Sequence, residues 1–172
     1  MPFYINDQRM REMEKRLGCT FSDEGEFAEM ALSLADYREK THPIEGVMFG
    51  VYEGDATALR GLVATIDDKW CRYFTETTRV FCAFSEGEVV SFCIVNTNAD
   101  CMLSHDALRV GSIGCVGTIE GYRHRGIGLR MVDLASVYLK REGCALSYVS
   151  YTHIDFWYQK LGYQTFARFS FT

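Results

Sequence analysis

The segment that decides the fold runs from Val116 to Leu129 and reads Val-Gly-Thr-Ile-Glu-Gly-Tyr-Arg-His-Arg-Gly-Ile-Gly-Leu. A strand-like stretch leads into two closely spaced glycines, Gly126 and Gly128, and a run with helical spacing follows. Glycine has no Cβ atom, so it suits the point where a chain turns sharply from a strand into a helix. The segment therefore predicts a strand, a tight glycine turn and the first turn of a helix.

This turn is a candidate phosphate site. The first amides of a helix have no partners within the helix, and they carry the positive end of its dipole. Arg123, His124 and Arg125 add positive charge beside them. The Walker pattern fails because no Gly-Lys-Ser/Thr follows, and the Rossmann pattern fails because Met131 takes the place of its third glycine. The alternative is a structural glycine turn with a solvated basic face.

The surrounding second half, residues 79–172, alternates strand and helix patterns. The runs RVFCAFS and VVSFCIV are joined by Glu86-Gly87-Glu88, which predicts a β-hairpin. After the glycine turn come a helix (GLRMVDLASVYLKREG), a strand (ALSYVSYT), a short helix (HIDFWYQKLG) and a last strand (YQTFARFSF). The order strand, helix, strand predicts a parallel crossover beside an antiparallel meander. The fold class is therefore α/β with a mixed sheet.

The first part, residues 1–78, is predicted to be rich in helix. Four N-terminal caps mark the helices: Asn6, Asp23 (in a capping box with Glu26), Asp55, and Asp67 or Asp68. The second of these helices has apolar residues at helical spacing, namely Phe27, Met30, Ala31, Leu34 and Tyr37. The run VMFGVY fits a strand or a helix and stays open.

Composition limits the class of protein. The chain has 172 residues, 48% of them hydrophobic and 24% charged, which predicts a single domain over residues 1–172. No apolar run is long enough to cross a membrane, and the first residues do not resemble a secretory signal. The net charge of −5 argues against nucleic acid as a partner. We expect a cytoplasmic protein that binds neither nucleic acid nor membrane.

The seven cysteines are predicted to be core residues. They are scattered, they include no Cys-x-x-Cys pair, and most lie among apolar neighbours. A zinc site or a disulfide framework needs clustered spacing, so no metal site is expected. This pattern is typical of a protein from a reducing compartment.

Two motifs resemble one known family. Arg123 to Gly128 resembles the Arg/Gln-x-x-Gly-x-Gly/Ala signature of the GNAT superfamily of N-acetyltransferases, and Trp157 to Tyr163 resembles the closing Tyr-x-Lys-x-Gly-Phe/Tyr helix of that family. The motifs occur in the family's order, with one helix and one strand between them and the hairpin upstream. The resemblance covers residues 79–172 well and implies a GNAT-like acyl-CoA N-acyltransferase fold.

The resemblance implies the donor and its contacts. Acetyl-CoA would be the acyl donor, with its pantetheine arm paired to backbone groups of Val116, Gly117 and Thr118 like an added strand. Its pyrophosphate would lie in the glycine turn, formed by Arg123, His124, Arg125, Gly126, Ile127, Gly128 and Leu129. Tyr158 falls where the family often has a tyrosine that protonates the departing thiolate. The alternative for Tyr158 is packing beside Trp157.

The chain also departs from the family pattern. Glu120 stands where proline is usual, and Tyr151 or Thr152 replaces a frequent asparagine at the start of the last helix. Only one strand follows that helix, where two are usual. Either an edge strand is missing or a partner chain supplies it, as in a homodimer.

The acceptor and the base are less defined by the sequence. A primary amine must lose a proton before it attacks, and Glu120 is the first candidate for the base, acting directly or through water. Its alternative is an exposed loop acid. Asp155 is explained as the capping partner of Thr152 and His153 as a surface residue, while His105 and Asp106 lie in a polar loop.

The acceptor is expected to be a small molecule or a peptide, and the acidic balance favours a cationic amine. Two alternatives to an enzyme stay open. One is a CoA-binding regulatory module without turnover, and the other is an adaptor in which the glycine turn is structural.

Overall fold

The computed structural model describes residues 3–105 and 107–172. In chain order, its elements are β1 (Tyr4–Ile5), α1 (Asp7–Leu17), β2 (Cys19–Phe21), β3 (Phe27–Ser33), β4 (Val47–Val51), α2 (Ala56–Ala64), a 3₁₀ helix (Asp68–Tyr73), β5 (Val80–Ser85), β6 (Glu88–Asn96), β7 (Leu103–Ser104), β8 (Arg109–Thr118), α3 (Ile127–Arg141), β9 (Cys144–Thr152), α4 (Asp155–Gln159) and β10 (Gln164–Phe171).

The chain divides into two compact units. Unit 1 comprises the described residues up to Arg38, with Thr97–Ser112 and Leu139–Thr172. Unit 2 comprises Glu39–Asn96 and Ile113–Tyr138. Strand β8 and helix α3 each contribute residues to both units.

In unit 1 the strands lie in the order β2, β10, β3, β9 and the first part of β8. Strand β3 is antiparallel to both of its neighbours, β9 and β10. Strand β8 runs parallel to β9 from Arg109 to Ser112, and helix α3 connects these two strands. The predicted parallel crossover and the mixed sheet are confirmed.

Strand β3 corrects the prediction for the first part of the chain. The segment from Asp23 to Tyr37 was expected to be helical, but Phe27–Ser33 is a strand whose central residues are all buried. A strand covered on both faces shows a continuous apolar run, so it lacks the alternation that distinguishes strands from helices. The capping box is absent too, because the Glu26 amide donates its hydrogen bond to the Ser170 hydroxyl oxygen at 3.0 Å and not to Asp23.

The same strand resolves the apparent shortage at the end of the chain. Because β3 pairs with β9 on one side and β10 on the other, the N-terminal segment supplies the second strand beside the closing helix. The two alternatives, a missing strand and a strand from a partner chain, are both wrong. A homodimer is therefore not needed to supply a strand to this sheet.

In unit 2 the order is β8, β6, β5, β4, and β4 to β6 form an antiparallel meander. The open run VMFGVY is strand β4. The β5–β6 hairpin turns through Glu86 and Gly87, whose φ angles of 52° and 80° suit a tight turn between twisted strands.

Three of the four predicted caps are confirmed. The side chain of Asn6 accepts a hydrogen bond from the Arg9 amide at 3.1 Å, and that of Asp55 accepts one from the Thr57 amide at 2.9 Å. Asp67 accepts from the Lys69 amide at 3.0 Å, but it caps a 3₁₀ helix.

Each unit has its own apolar core. Helix α1 packs Met13 against a cluster in unit 1 that includes Leu146 and Phe169, and α2 packs Leu59 and Val63 against β5 and β6 in unit 2. The seven cysteines are free thiols, four of them buried and three half-buried, which confirms the core prediction.

Candidate functional site

The glycine turn lies between the end of β8 and the start of α3 in unit 2. His124 and Gly126 have φ angles of 63° and 77°, in the left-handed region that reverses the chain within a few residues. Helix α3 begins directly after this reversal, at Ile127. Residues 123–126 are exposed, so the turn faces solvent.

The turn presents a row of backbone donors. The first helical bond of α3 runs from the Arg130 amide to the Gly126 carbonyl at 3.0 Å. Within the described part of the chain, the four amides from Gly126 to Leu129 donate no backbone hydrogen bond. Successive free amides at a helix N-terminus form a concavity that suits phosphate oxygens.

The three basic side chains beside the turn make different contacts. The Arg123 Nε atom donates to the Thr118 carbonyl at 2.9 Å, which ties the turn back to the end of β8. The Arg125 guanidinium lies over the Tyr122 ring at 5.1 Å. Both arginines therefore stabilise the turn, while His124 is exposed beside it.

The end of β8 is held on one side by β6. The Ile119 amide donates to the Val90 carbonyl at 3.0 Å, and the Ser91 hydroxyl donates to the Gly117 carbonyl at 2.9 Å. Because backbone groups alternate along a strand, those of Val116 and Thr118 point away from β6. The register with β9 ends at Ser112, so among the described residues no strand pairs with this side of Val116 and Thr118.

Tyr158 lies in α4, in unit 1. Its side chain is 5% exposed, and its ring meets the rings of Trp157 and Tyr163 edge to face, with centroids 4.9 and 5.8 Å apart. The ring is thus fixed by packing, and the hydroxyl is the only part of it that could serve chemistry.

The candidate bases lie in different surroundings. Glu120 is exposed in the turn that follows β8. Asp155 forms an ion pair with Arg168, and the Thr152 hydroxyl accepts from the Ile154 amide at 3.1 Å, so the predicted capping box is wrong. The Thr152 hydroxyl thus binds the amide two residues later and not that of Asp155.

Histidines and one loop acid complete the candidates. His153 is exposed, as predicted, and meets the Phe27 ring edge to face at 6.5 Å. His105 is buried, in a loop where it bridges to Leu108. Asp106 lies outside the described residues.

A buried carboxylate was missed by the sequence analysis. Glu29, on β3 in unit 1, is fully buried. Its oxygens accept hydrogen bonds from the Ser150 hydroxyl at 3.0 Å and from the Tyr151 amide at 2.9 Å. Burial outweighs these bonds and raises the pKa of Glu29 to about 7. A single charge inside the apolar run Phe-Ala-Glu-Met-Ala-Leu is the signal that could have revealed it.

A cavity of about 450 Å³ lies next to this carboxylate in the same unit. Ser150 and Tyr148 of β9 form part of its wall, together with side chains of α1 and of the segment before β7. Its size is that of a typical small-molecule site.

Helix α3 carries a second missed pair, Arg130 and Asp133, in unit 2. The Asp133 carboxylate accepts from the amides of Lys40 and Thr41 at 2.8 and 2.7 Å. Arg130 donates to the Glu39 carboxylate at 2.5 Å and to the Thr41 carbonyl at 2.9 Å. Both side chains are buried, so they anchor the segment that leads into β4.

The described residues contain neither a cluster of metal ligands nor a helix that could span a membrane. No group of three or more His, Cys, Asp or Glu side chains within them is arranged to hold a metal ion. None of the helices in the described ranges combines the length and the apolar character that crossing a bilayer requires.

The fold and the turn define a protein of the acyltransferase class, and sequence comparison identifies the family. A sequence model of the Acetyltransferase (GNAT) family matches residues 48–163, about two thirds of the chain. The chain belongs to the GNAT family of acetyltransferases. The match excludes β2, β3 and β10. No curated protein sequence matches the chain.

Solved structures share the fold. One is the GCN5-related glucosamine N-acetyltransferase region of a fungal multi-domain GH3 β-N-acetylglucosaminidase (22% identity, TM-score 0.71, 94% of this chain and 22% of the other). A second is a GCN5-related N-acetyltransferase from Kribbella flavida, with 18% identity, a TM-score of 0.60, and coverage of 93% of this chain and 61% of the other. A third, from Sphaerobacter thermophilus, has 17% identity, a TM-score of 0.61, and coverage of 97% of this chain and 56% of the other. The chain thus spans less than two thirds of each of these proteins.

Proposed function

We propose that the protein transfers an acetyl group from acetyl-CoA to a primary amine of a small molecule or a peptide, by direct attack in a ternary complex. One observation carries the proposal: the four amides from Gly126 to Leu129, at the start of α3, donate no backbone hydrogen bond among the described residues. A helix N-terminus with such a row of donors suits a pyrophosphate. Family membership indicates acetyl transfer as the general activity.

The donor would lie along the end of β8 and the glycine turn. The amides of His124 to Leu129 would hold the pyrophosphate, with Arg123 and Arg125 stabilising the turn around it. The outward-facing backbone groups of Val116 and the amide of Thr118 suit the amide groups of pantetheine, which would bind like an added strand. The Thr118 carbonyl already accepts from Arg123. Gly117 remains a predicted contact of the donor, but its carbonyl already accepts from Ser91 and a Cβ there would lie 2.7 Å from the Phe92 ring, so the glycine is explained by packing.

The reaction forms one bond and breaks another. The amine nitrogen attacks the thioester carbon, the carbon–sulfur bond breaks, and the thiolate of CoA takes up a proton. Tyr158 is our candidate for the donor of that proton. Glu120 remains a prediction for the base, and its exposed position favours a role through water.

The acceptor is proposed by chemical class. The net charge of −5 favours a cationic amine. One structural relative is described as a glucosamine N-acetyltransferase region, so an amino sugar belongs in the test panel. The panel is glucosamine, spermidine, glycine, kanamycin and an alanyl peptide, and the readout is CoA thiol released from acetyl-CoA.

Thermal unfolding with CoA and acetyl-CoA tests the donor site. A ligand that binds only the folded state stabilises it by about 2.7 kcal/mol at a hundred times its dissociation constant. Gly126→Val is expected to remove most of this shift. A branched Cβ at a φ of 77° distorts the turn, although open space surrounds the position within 4 Å.

Gly87→Val is the matched control. Gly87 lies in the β5–β6 hairpin of the same unit, has a φ of 80°, and also has open space within 4 Å. The two variants should lose similar stability without ligand, but only Gly126→Val should lose the CoA-dependent shift. A folded Gly126→Val protein that binds CoA as tightly as wild type would contradict the phosphate site.

A further inference from the structure

The β3–β9 pair contains an irregularity directly opposite Glu29. Ala28 pairs with Thr152 and Met30 pairs with Val149, so two steps along β3 match three steps along β9. The extra residue is a β-bulge at Ser150 and Tyr151, and Tyr151 has a φ of 61°. Bulges and left-handed non-glycine residues occur preferentially beside functional sites.

Glu29 binds both residues of this bulge. One carboxylate oxygen accepts from the Ser150 hydroxyl and the other from the Tyr151 amide. The neighbouring Tyr148 side chain also favours the charged form of the carboxylate. A fully buried carboxylate is costly in its charged form, so this arrangement balances the two protonation states near neutral pH.

Few charges face Glu29. Arg16 of α1 is the cation that interacts with it, and Cys19 of β2, Cys101 and Tyr148 are the other titratable groups nearby. Burial raises the pKa of all three, so they are neutral at pH 7. On β10 the register partner of Glu29 is Ala167, which carries no charge.

The neighbouring cavity is lined in part by Ser150, whose hydroxyl binds Glu29. Tyr148 also lies in the cavity wall, and its side chain favours the charged form of the Glu29 carboxylate. Two cations lie in the wall: Arg9, which is paired with Asp100 at 2.7 Å and with Glu12 at 3.5 Å, and Arg16. The volume of about 450 Å³ suits a small polar molecule.

We propose that this cavity of unit 1 binds a small polar primary amine, the acyl acceptor, and that Glu29 takes the proton of the amine through the Ser150 hydroxyl. The proposal rests on the proposed acetyl transfer and deepens it, because it assigns the acceptor site and the proton acceptor. Ser150 contacts the amine. Glu29 acts through Ser150 and is a positioning and proton-holding residue.

The proton balance is simple. The ammonium group gives one proton to the Ser150 oxygen while Ser150 passes its own proton to the Glu29 carboxylate. The neutral amine forms the nitrogen–carbon bond, and Tyr158 protonates the CoA thiolate when the carbon–sulfur bond breaks. The second surplus proton of the amine then returns through water to Tyr158. Glu29 then returns its proton to water.

The burial of Glu29 distinguishes it from Glu120. The exposed Glu120 is an ordinary surface carboxylate in its contact with water, whereas Glu29 ionises near the pH at which it would work. A base is most effective when its pKa lies close to the working pH. The alternative is that Glu29 only holds the bulge in place.

The test compares turnover of acetyl-CoA with glucosamine and spermidine between pH 6 and 10. In wild type, turnover should rise with pH through an ionisation near 7, because Glu29 must be deprotonated. Glu29→Gln keeps the size of the side chain and should lose that ionisation, with turnover about 10²-fold lower at pH 7.5. The deficit should shrink near pH 10, where the free amine is abundant.

Ser150→Ala supplies a second measurement, the turnover of the single and double variants, that distinguishes a proton relay from a purely structural role of Glu29. If the two residues form one relay, Ser150→Ala should lower turnover as Glu29→Gln does, and the double variant should be no slower than either single variant. Glu26→Gln is the matched control, with an exposed side chain three residues from Glu29. It should keep the ionisation and the rate.

The outcomes separate the two proposals. Suppose that wild type acetylates an amine. If Glu29→Gln and Ser150→Ala then keep the wild-type pH profile, or if only Glu120→Gln removes the ionisation, the role of Glu29 is wrong and the proposed acetyl transfer stands. If wild type acetylates no amine of the panel, acetyl transfer fails, and amide NMR decides the site. Shifts of Tyr148 and Ser150 with glucosamine or spermidine that Glu29→Gln abolishes support the cavity; their absence overturns it.

Discussion

Replacing Tyr158 with phenylalanine is expected to lower the turnover number by about 10²–10⁴-fold while the affinity for CoA stays near that of wild type. The substitution removes one hydroxyl and keeps the ring. That ring is almost fully buried against Trp157 and Tyr163, so the packing should change little. Rapid-quench measurement of the chemical step, together with CoA titration, checks both expectations.

Tyr163→Phe is the control for this experiment. Tyr163 is buried in the same ring cluster, and its hydroxyl lies 2.8 Å from the Ser147 hydroxyl. Losing that hydrogen bond should cost about 1 kcal/mol of stability but should leave the chemical step within a few-fold of wild type. If Tyr158→Phe also leaves the chemical step unchanged, Tyr158 is a packing residue and the thiolate is protonated by another group.

Elements with strong local signals were predicted correctly. The hairpin through Glu86 and Gly87, the glycine turn before α3 and the caps at Asn6 and Asp55 each depend on a few neighbouring residues. Turn and cap chemistry is local, so it is visible in a single sequence. The same holds for the free amides of the turn, which follow from where the helix begins.

Strand β3 could not be predicted in this way. Its residues are buried by pairing with β9 and β10, which lie more than a hundred residues later in the chain. In a helical interpretation, Met30, Ala31 and Leu34 form an apolar stripe and Glu29 falls beside it as an ordinary solvated acid. In the structure, the tertiary contacts of β3 bury the Glu29 carboxylate completely, so it is not a solvated acid.

The candidate acceptor site was missed for the same reason. Ser150 and Tyr151 read as two more residues of a regular strand, and nothing local predicts a bulge there. The bulge exists because β3 pairs on either side of it at Ala28 and Met30. Long-range pairing thus brings together a carboxylate and a hydroxyl that are 121 positions apart.

The stability of the protein should depend on pH through Glu29, and the sign follows from its pKa. The folded value is about 7 and the ordinary value is near 4.5. Below pH 4.5 the carboxyl is protonated in both states. Between 4.5 and 7 the unfolded chain releases the proton while the folded protein retains it, so the free energy of unfolding falls as pH rises. At about 1.4 kcal/mol per pH unit, the total loss is about 3 kcal/mol, complete above pH 7.

Glu29→Gln has no proton to release at this position, so it should lack that loss. The difference in unfolding free energy between Glu29→Gln and wild type should shift by about 3 kcal/mol in favour of the variant between pH 4.5 and pH 8. Urea unfolding at both pH values measures this, and taking the difference removes the contribution of all other carboxylates. Glu26→Gln, with its exposed side chain, should show almost no such shift. If the difference between Glu29→Gln and wild type is the same at both pH values, the pKa of Glu29 is unchanged by folding, and Glu29 is not a base with a pKa near 7.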